Sequence, residues 1–247
     1  MLEEAERVAT VLRSLPEALL RVAFLRDYLN AGDSAAVARV FDELASASSD
    51  GSDRTAALLP LVMLLAGLAD DPALDRLGHS AAAQGLPRLS RLLRRGAELS
   101  QVQTTPPMPD YGAGRELSVG ERKSLARTRN RAAFDKLLRD PHPLVIQQLL
   151  ENPRLTEDDL VRLAARRPAN VEALRAIART QWLCRPRVRM ALIHNPGTPT
   201  AIAVPLLAVC TRPELHQVRA SSECSELVRE IAEELLVLRS VRPPRAE

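Results

Sequence analysis

Residues 140–152 read DPHPLVIQQLLEN, and an altered version of this stretch returns at residues 184–195 as CRPRVRMALIHN. Each stretch is followed by a proline. The matching positions are Pro143 and Pro186, Val145 and Val188, Leu149 and Leu192, and Asn152-Pro153 and Asn195-Pro196. A sequence that recurs at a spacing of about 20–50 residues is typical of a helical repeat array, in which each unit buries its apolar face against its neighbours. The pattern therefore predicts a scaffold of helices.

Composition favours the same fold class. The chain has 247 residues, of which 46% are hydrophobic and only 2% are aromatic. Helices that pack through aliphatic side chains fit this mixture better than β-sandwiches or barrels do. We expect an all-α fold, with a helical N-terminal bundle followed by a HEAT-like or leucine-rich-repeat-variant α-solenoid.

Breaks in the helical pattern suggest the domain boundaries. Apolar positions recur at helical spacing through residues 1–100, which predicts an α-helical N-terminal domain. Residues 101–116 are rich in proline and glycine, and we interpret them as a linker, with a strap packed across the helices as the alternative. We predict a HEAT-like helical repeat domain over residues 117–240 and a disordered tail over residues 241–247.

The most apolar run of the sequence is too short to span a membrane, and we interpret it as a core helix. Residues 56–69 read AALLPLVMLLAGLA, which is shorter than the roughly 20 residues that a membrane-spanning helix needs. Pro60 also interrupts the run. We expect this segment to be buried in the protein and expect no membrane partner.

Helix start signals are clear in the second half. Ser118 with Glu121 and Thr156 with Asp159 have the spacing of capping boxes, in which two side chains satisfy the first free backbone N–H groups of a helix. Pro143 suits the first turn of the next helix. The sequence therefore predicts short, well-punctuated helices.

Two pieces of the second half carry a family resemblance. Residues 152–164 read NPRLTEDDLVRLA and residues 195–199 read NPGTP, each after an apolar helix that a proline opens. They resemble the leucine-rich-repeat-variant and HEAT-like families. The resemblance implies a right-handed stack of helices with a binding surface, usually for protein. Variant repeats are also known with an iron–sulfur cluster on a separate cysteine-rich segment, and this sequence has no such segment.

Basic residues are the main candidates for binding. The arginines concentrate in two stretches of the second half, where equivalent positions of successive helices could line one surface. The opposing interpretation is an ordinary solvated face, in part because arginines are favoured near helix C-termini by the backbone dipole. The candidate binding residues are Arg127, Arg131, Arg162, Arg175, Arg185 and Arg189.

Other residue types give no comparable pattern. Cys210, His216 and Cys224 do not have the spacing of a metal-chelating set, and we interpret the cysteines as buried helical residues. His142 and His194 fall in turns between helices, where a structural role outweighs general-base catalysis. We therefore predict no catalytic residues, no metal and no cofactor.

The function that these features favour is a non-enzymatic module for protein–protein interaction, or scaffold. The partner expected is a protein, and an acidic one would suit the arginines. Binding of nucleic acid, above all DNA, through a basic surface of the repeat domain is the alternative. Three cysteines cannot pair completely, and acidic residues stand near the start where a secretory signal carries positive charge, so we expect a cytoplasmic location.

Overall fold

The computed structural model describes residues 2–46, 52–96 and 107–240. Within these ranges the regular structure is entirely helical and no strand is present, which confirms the all-α prediction. No helix in the described ranges is long and apolar enough to cross a membrane. The predicted disordered tail, residues 241–247, lies outside the described residues.

Short helices follow one another along the whole of the described chain. In order they are α1 (Leu2–Ser14), α2 (Ala18–Ala31), α3 (Ser34–Leu44), α4 (Ser52–Gly67), α5 (Pro72–Ala83), α6 (Pro87–Leu92), α7 (Val119–Arg127), α8 (Arg131–Leu137), α9 (Pro143–Leu150), α10 (Glu157–Ala164), α11 (Val171–Ala178), α12 (Pro186–His194), α13 (Thr200–Leu207), α14 (Arg212–Ala220) and α15 (Glu226–Ser240). A 3-10 helix, Gln181–Cys184, lies between α11 and α12. Whether the helices form a solenoid stays a prediction.

The chain divides into two compact units. Residues 1–97 and 199–247 form the first unit, and residues 98–198 form the second. The first unit therefore takes in α13, α14 and α15, whereas the sequence predicted one domain over residues 117–240. The two divisions differ because α13 packs against α4, α15 packs against α13, and α14 packs against α15, so the last three helices join residues far away in the sequence.

Helix α4 supplies much of the core of the first unit. It packs against α1, α2 and α13, and Leu61, Leu64 and Leu65 are fully buried. Pro60 lies inside the helix without ending it. The apolar run of the sequence is thus a buried core helix, as predicted.

Polar contacts also join the N-terminal helices of the first unit to each other and to α15. Glu234 accepts hydrogen bonds from Arg91 Nε at 3.0 Å and from Arg94 Nη1 at 2.6 Å. Asp42 is buried and its Oδ1 accepts the backbone N–H groups of Arg88 and Leu89 at 2.9 and 2.8 Å. The carboxylate of α3 thereby satisfies free N–H groups at the start of α6.

The second unit contains two segments of three helices with matching local structure. The first triplet is α7–α9, and the second triplet is α10–α12. Both begin with a capping box, Ser118 with Glu121 and Thr156 with Asp159, which confirms the two predicted boxes. Within each triplet the first helix packs against the third, and each third helix opens on a proline.

An asparagine closes each triplet by the same hydrogen bonds. Asn152 Nδ2 donates to the carbonyls of Ala126 and Thr128 at 2.7 and 2.8 Å, and its Oδ1 accepts the N–H of Arg154 at 2.9 Å. We call residues 126–129 with 152–154 the Asn152 turn. Carbonyls at the end of a helix have no partner within it, so the asparagine satisfies groups that would otherwise be unpaired.

The second asparagine repeats this arrangement. Asn195 Nδ2 donates to the carbonyls of Ala164 and Arg166 at 2.6 and 3.1 Å, and its Oδ1 accepts the N–H of Gly197 at 2.9 Å. We call residues 164–167 with 195–197 the Asn195 turn. The Asn-Pro pairs of the sequence therefore tie the third helix of each triplet to the end of the first.

Within the second unit, residues 107–116 contact α7 and the segment before α9. The Tyr111 hydroxyl donates to Asp140 Oδ2 at 2.6 Å, and Arg122 Nη1 lies 3.1 Å from the sulfur of Met108. Gly112 has a φ of 76°, a backbone conformation that side chains other than glycine rarely adopt. The described part of the proline-rich segment thus agrees with the strap alternative.

Candidate functional site

All six candidate arginines lie in the second unit, and two of them are exposed with no partner among the described residues. Arg127 ends α7, and Arg185 precedes α12. Both residues are exposed, and neither guanidinium forms a hydrogen bond or an ion pair with the residues that the structure describes. These two arginines are available for an external anion.

Two other candidates are exposed but neutralised within the second unit. Arg131 binds the buried carboxylate of Asp159 with two hydrogen bonds of 2.5 Å, and its guanidinium lies 5.0 Å from the ring centre of Phe134. Arg162 forms a longer ion pair of 3.4 Å with Asp135. A bidentate pair such as Arg131 with Asp159 fixes both side chains, so Arg131 is less available than Arg127.

The ion pair with Arg131 also controls the charge of Asp159. Burial opposes ionisation of this carboxyl group, but hydrogen bonds from Arg131 and Thr156 outweigh it and lower the pKa of Asp159 below its ordinary value. The same carboxylate completes the capping box of α10. Arg131 therefore joins the first triplet to the second.

The last two candidates are held inside the second unit. Arg189 is only 8% exposed, and its Nη1 donates to the Leu183 carbonyl at 2.8 Å. Arg175 is half-buried and pairs with Glu172 at 2.8 Å. Arg185 precedes α12, whereas Arg189 lies within α12 on a face that turns inward. Arg189 is therefore a structural residue and does not belong to a surface.

Two further arginines lie beside Arg127. They are not among the six candidates. Arg129 follows Thr128, whose carbonyl accepts from Asn152, and Arg154 donates its N–H to the same asparagine. Both residues are exposed, and their guanidinium groups bind none of the described residues. We call Arg127, Arg129 and Arg154 the arginine cluster. Arg154 is distant in the sequence from Arg127 and Arg129, and the hydrogen bonds of Asn152 join the two segments.

The sequence analysis also did not predict a buried charge pair in the second unit. Arg122 and Asp140 are both buried, with Nη1 2.6 Å from the carboxylate oxygens. Asp140 accepts in addition from the Tyr111 hydroxyl and from the backbone N–H of His142 at 2.8 Å. Burial, and then the bond to Asp140, raises the pKa of the Tyr111 hydroxyl. This network holds the strap and the start of α9 against α7. Its polar groups bind one another, so we assign it a structural role.

The histidine and cysteine residues have structural surroundings. His142 caps α9, with its Nδ1 accepting from the Leu144 N–H at 3.2 Å, which agrees with the predicted turn role. Cys210 and Cys224 are buried as predicted but lie outside the helices, after α13 and before α15, while Cys184 is half-buried in the 3-10 helix. Among the described residues, no group of three or more His, Cys, Asp or Glu side chains is placed to hold a metal ion.

The arginine cluster is the arrangement with the clearest capacity to bind a ligand. Each guanidinium carries five N–H donors in a planar fork that matches a carboxylate or a phosphate. The acids nearest to Arg154 along the chain are Glu151 and Glu157, one on either side, and Glu151 accepts a hydrogen bond from Gln148 at 3.0 Å. Comparison of the chain with protein-family models, with curated proteins and with solved structures found no match.

Proposed function

We propose that the chain is a non-enzymatic interaction module whose second unit binds an acidic protein partner. The observation that carries the proposal is the set of exposed arginines, Arg185 and the arginine cluster, whose guanidinium groups bind no residue in the described part of the chain. Some other exposed arginines of this unit do find an acid, as Arg187 does with Asp158 at 2.7 Å. Uncompensated positive charge on one unit attracts anionic partners and speeds their association.

The HEAT-like and leucine-rich-repeat-variant resemblance supports the same proposal. Members of such families present binding surfaces, usually for protein, on stacked helices. The two triplets, with their paired capping boxes and asparagine turns, suit a stack of this kind. We include a solenoid arrangement of the second unit in the proposal.

Nucleic-acid binding is the second candidate function. The observation that favours it is the sequence pI of about 9.0, together with the concentration of basic residues in the second half. A duplex requires contacts to many phosphates, and its affinity falls steeply with salt because bound counterions are released. The ion pairs of Arg131, Arg162 and Arg187 interrupt such a track and favour the protein partner.

Fluorescence anisotropy with labelled probes tests both functions. The full chain is titrated against a fluorescein-labelled poly-glutamate peptide, a neutral Gly/Ser peptide of the same length and a labelled DNA duplex, in about 50 mM salt and then in about 200 mM. We expect binding to poly-glutamate that weakens with salt, and no binding to the neutral peptide. The proposal fails if the poly-glutamate peptide binds no better than the neutral one, and tighter binding of the duplex would favour the nucleic-acid function.

A further inference from the structure

The two asparagine turns share one backbone scaffold, so their residues can be compared position by position. The carbonyls of Ala126 and Thr128 correspond to those of Ala164 and Arg166, because each pair accepts from the asparagine Nδ2. The residue whose N–H binds the asparagine Oδ1 is Arg154 in one turn and Gly197 in the other.

This correspondence shows which arginines the scaffold does not need. Arg127 lies between the two accepting carbonyls of its turn, and Ala165 occupies the equivalent place in the other. Arg154 is replaced by Gly197. The Asn195 turn forms the same three hydrogen bonds with alanine and glycine at these positions, so the side chains of Arg127 and Arg154 contribute nothing that the turn requires.

The third member of the cluster differs in its partner. Arg167 is the equivalent of Arg129, and its Nη2 donates to the His194 carbonyl at 3.2 Å. Arg129 is exposed and binds none of the described residues. The Asn152 turn thus has arginine at two positions where the Asn195 turn has a small residue, and its third arginine, Arg129, has no partner among the described residues.

We infer that the arginine cluster of the Asn152 turn is a discrete binding site for carboxylate side chains of an acidic peptide segment. The inference deepens the proposed function and rests on it. The hydrogen bonds of Asn152 hold the backbone of the three arginines on the order of 10 Å apart. Side chains from such positions can converge on adjacent carboxylates, as arginine clusters do in proteins that recognise acidic motifs.

A peptide fits this site better than a nucleic-acid backbone does. The equivalent positions of the Asn195 turn carry Ala165 and Gly197, so the cluster does not continue from one triplet to the next. Phosphates of a duplex recur along a strand and call for a basic track, whereas a short run of acidic side chains needs only a local site.

The second turn also supplies substitutions that the scaffold accommodates. The variant R127A/R154G gives the Asn152 turn the residues found at the Asn195 turn. A charge-matched control is R26A/R76A, which removes two exposed arginines of the first unit that bind none of the described side chains. Both variants lose two positive charges, so a difference between them reports position and not net charge.

Binding of the full-length variants to labelled poly-glutamate at about 50 mM salt tests the inference. We expect R127A/R154G to bind about tenfold more weakly than the wild type, and R26A/R76A to stay within about twofold, since each exposed charge pair changes affinity up to about fivefold. Trp182 fluorescence in denaturant checks that the second unit remains folded. If R127A/R154G unfolds earlier than the wild type, R127Q/R154Q replaces it.

The outcomes separate the inference from the proposed function. If the wild type binds poly-glutamate and R127A/R154G matches R26A/R76A, the cluster is not the site, although the proposed function stands. If the wild type does not bind poly-glutamate, both fail. If the cluster variant loses affinity for a DNA duplex and not for the peptide, the assignment to an acidic peptide is overturned.

Discussion

Replacing Asn152 by alanine should destabilise the second unit by about 3 kcal/mol. The side chain is buried and makes three hydrogen bonds of 2.7–2.9 Å, each worth about 1 kcal/mol net. The substitution also leaves the Ala126 carbonyl, which lies in a buried residue, without its partner. Asn195→Ala should cost a similar amount because Asn195 makes an equivalent set of bonds.

Trp182 makes the measurement specific to the second unit. It is the only tryptophan of the chain and lies within residues 98–198, so its fluorescence during denaturant unfolding reports the free energy of unfolding of that unit. Gln147→Ala is the control, since Gln147 is an exposed residue of α9 whose side chain binds none of the described residues. It should change stability by less than about 0.5 kcal/mol. The reasoning is refuted if Asn152→Ala behaves like the control.

Three further changes test the charges and packing of the second unit with the same fluorescence signal. Asp140→Asn leaves the buried guanidinium of Arg122 without its carboxylate and should cost about 3–5 kcal/mol of unfolding free energy. R122M/D140N removes both charges and should recover part of this loss. If the single and double variants lost the same stability, the buried charge would not be the cause. Because the pKa of Asp159 is lowered by folding, its stabilisation is complete above the ordinary aspartate pKa and is lost as the pH falls below about 4. Arg131→Gln, which removes a cause of the lowered pKa, should therefore move the acid unfolding midpoint to higher pH, and an unchanged midpoint would exclude this role. Leu149→Ala, at a fully buried position, should cost about 2–5 kcal/mol, and a loss below about 1 kcal/mol would mean that α9 is not tightly packed.

Local structure was largely predictable because it depends on residues that are close in sequence. The capping boxes at Ser118 and Thr156 and the buried core helix that contains Pro60 all appear where their patterns place them. One local prediction was wrong. Thr198, followed by Pro199, has the sequence pattern of an N-cap before a first-turn proline, but α13 begins at Thr200, and the Thr198 hydroxyl donates to the Leu192 carbonyl at 2.7 Å. A threonine hydroxyl can donate to a carbonyl earlier in the chain or accept from a backbone N–H group later in it, and the spacing of residues does not determine which bond forms.

The candidate site was only partly predictable. Arg127 was identified from charge density, but Arg189 was included although it is buried, because helical spacing gives the face of a residue and not what covers that face. Arg154 was missed because its neighbours Arg127 and Arg129 are distant in the sequence. The internal similarity of the Asn-Pro stretches was the signal that could have found it, since Arg154 and Gly197 follow equivalent asparagines.

The sequence by itself determined that the chain is helical, where several helices of its second half begin, and that two stretches end in the same Asn-Pro pair. These properties follow from hydrogen bonds and apolar periodicity within a few residues. Only the tertiary structure decided that α13–α15 join the N-terminal helices and that Arg122 and Asp140 form a buried pair. It also decided which arginines form no ion pair with the described residues. Such outcomes depend on long-range packing, in which burial and pairing are set by residues far away along the chain.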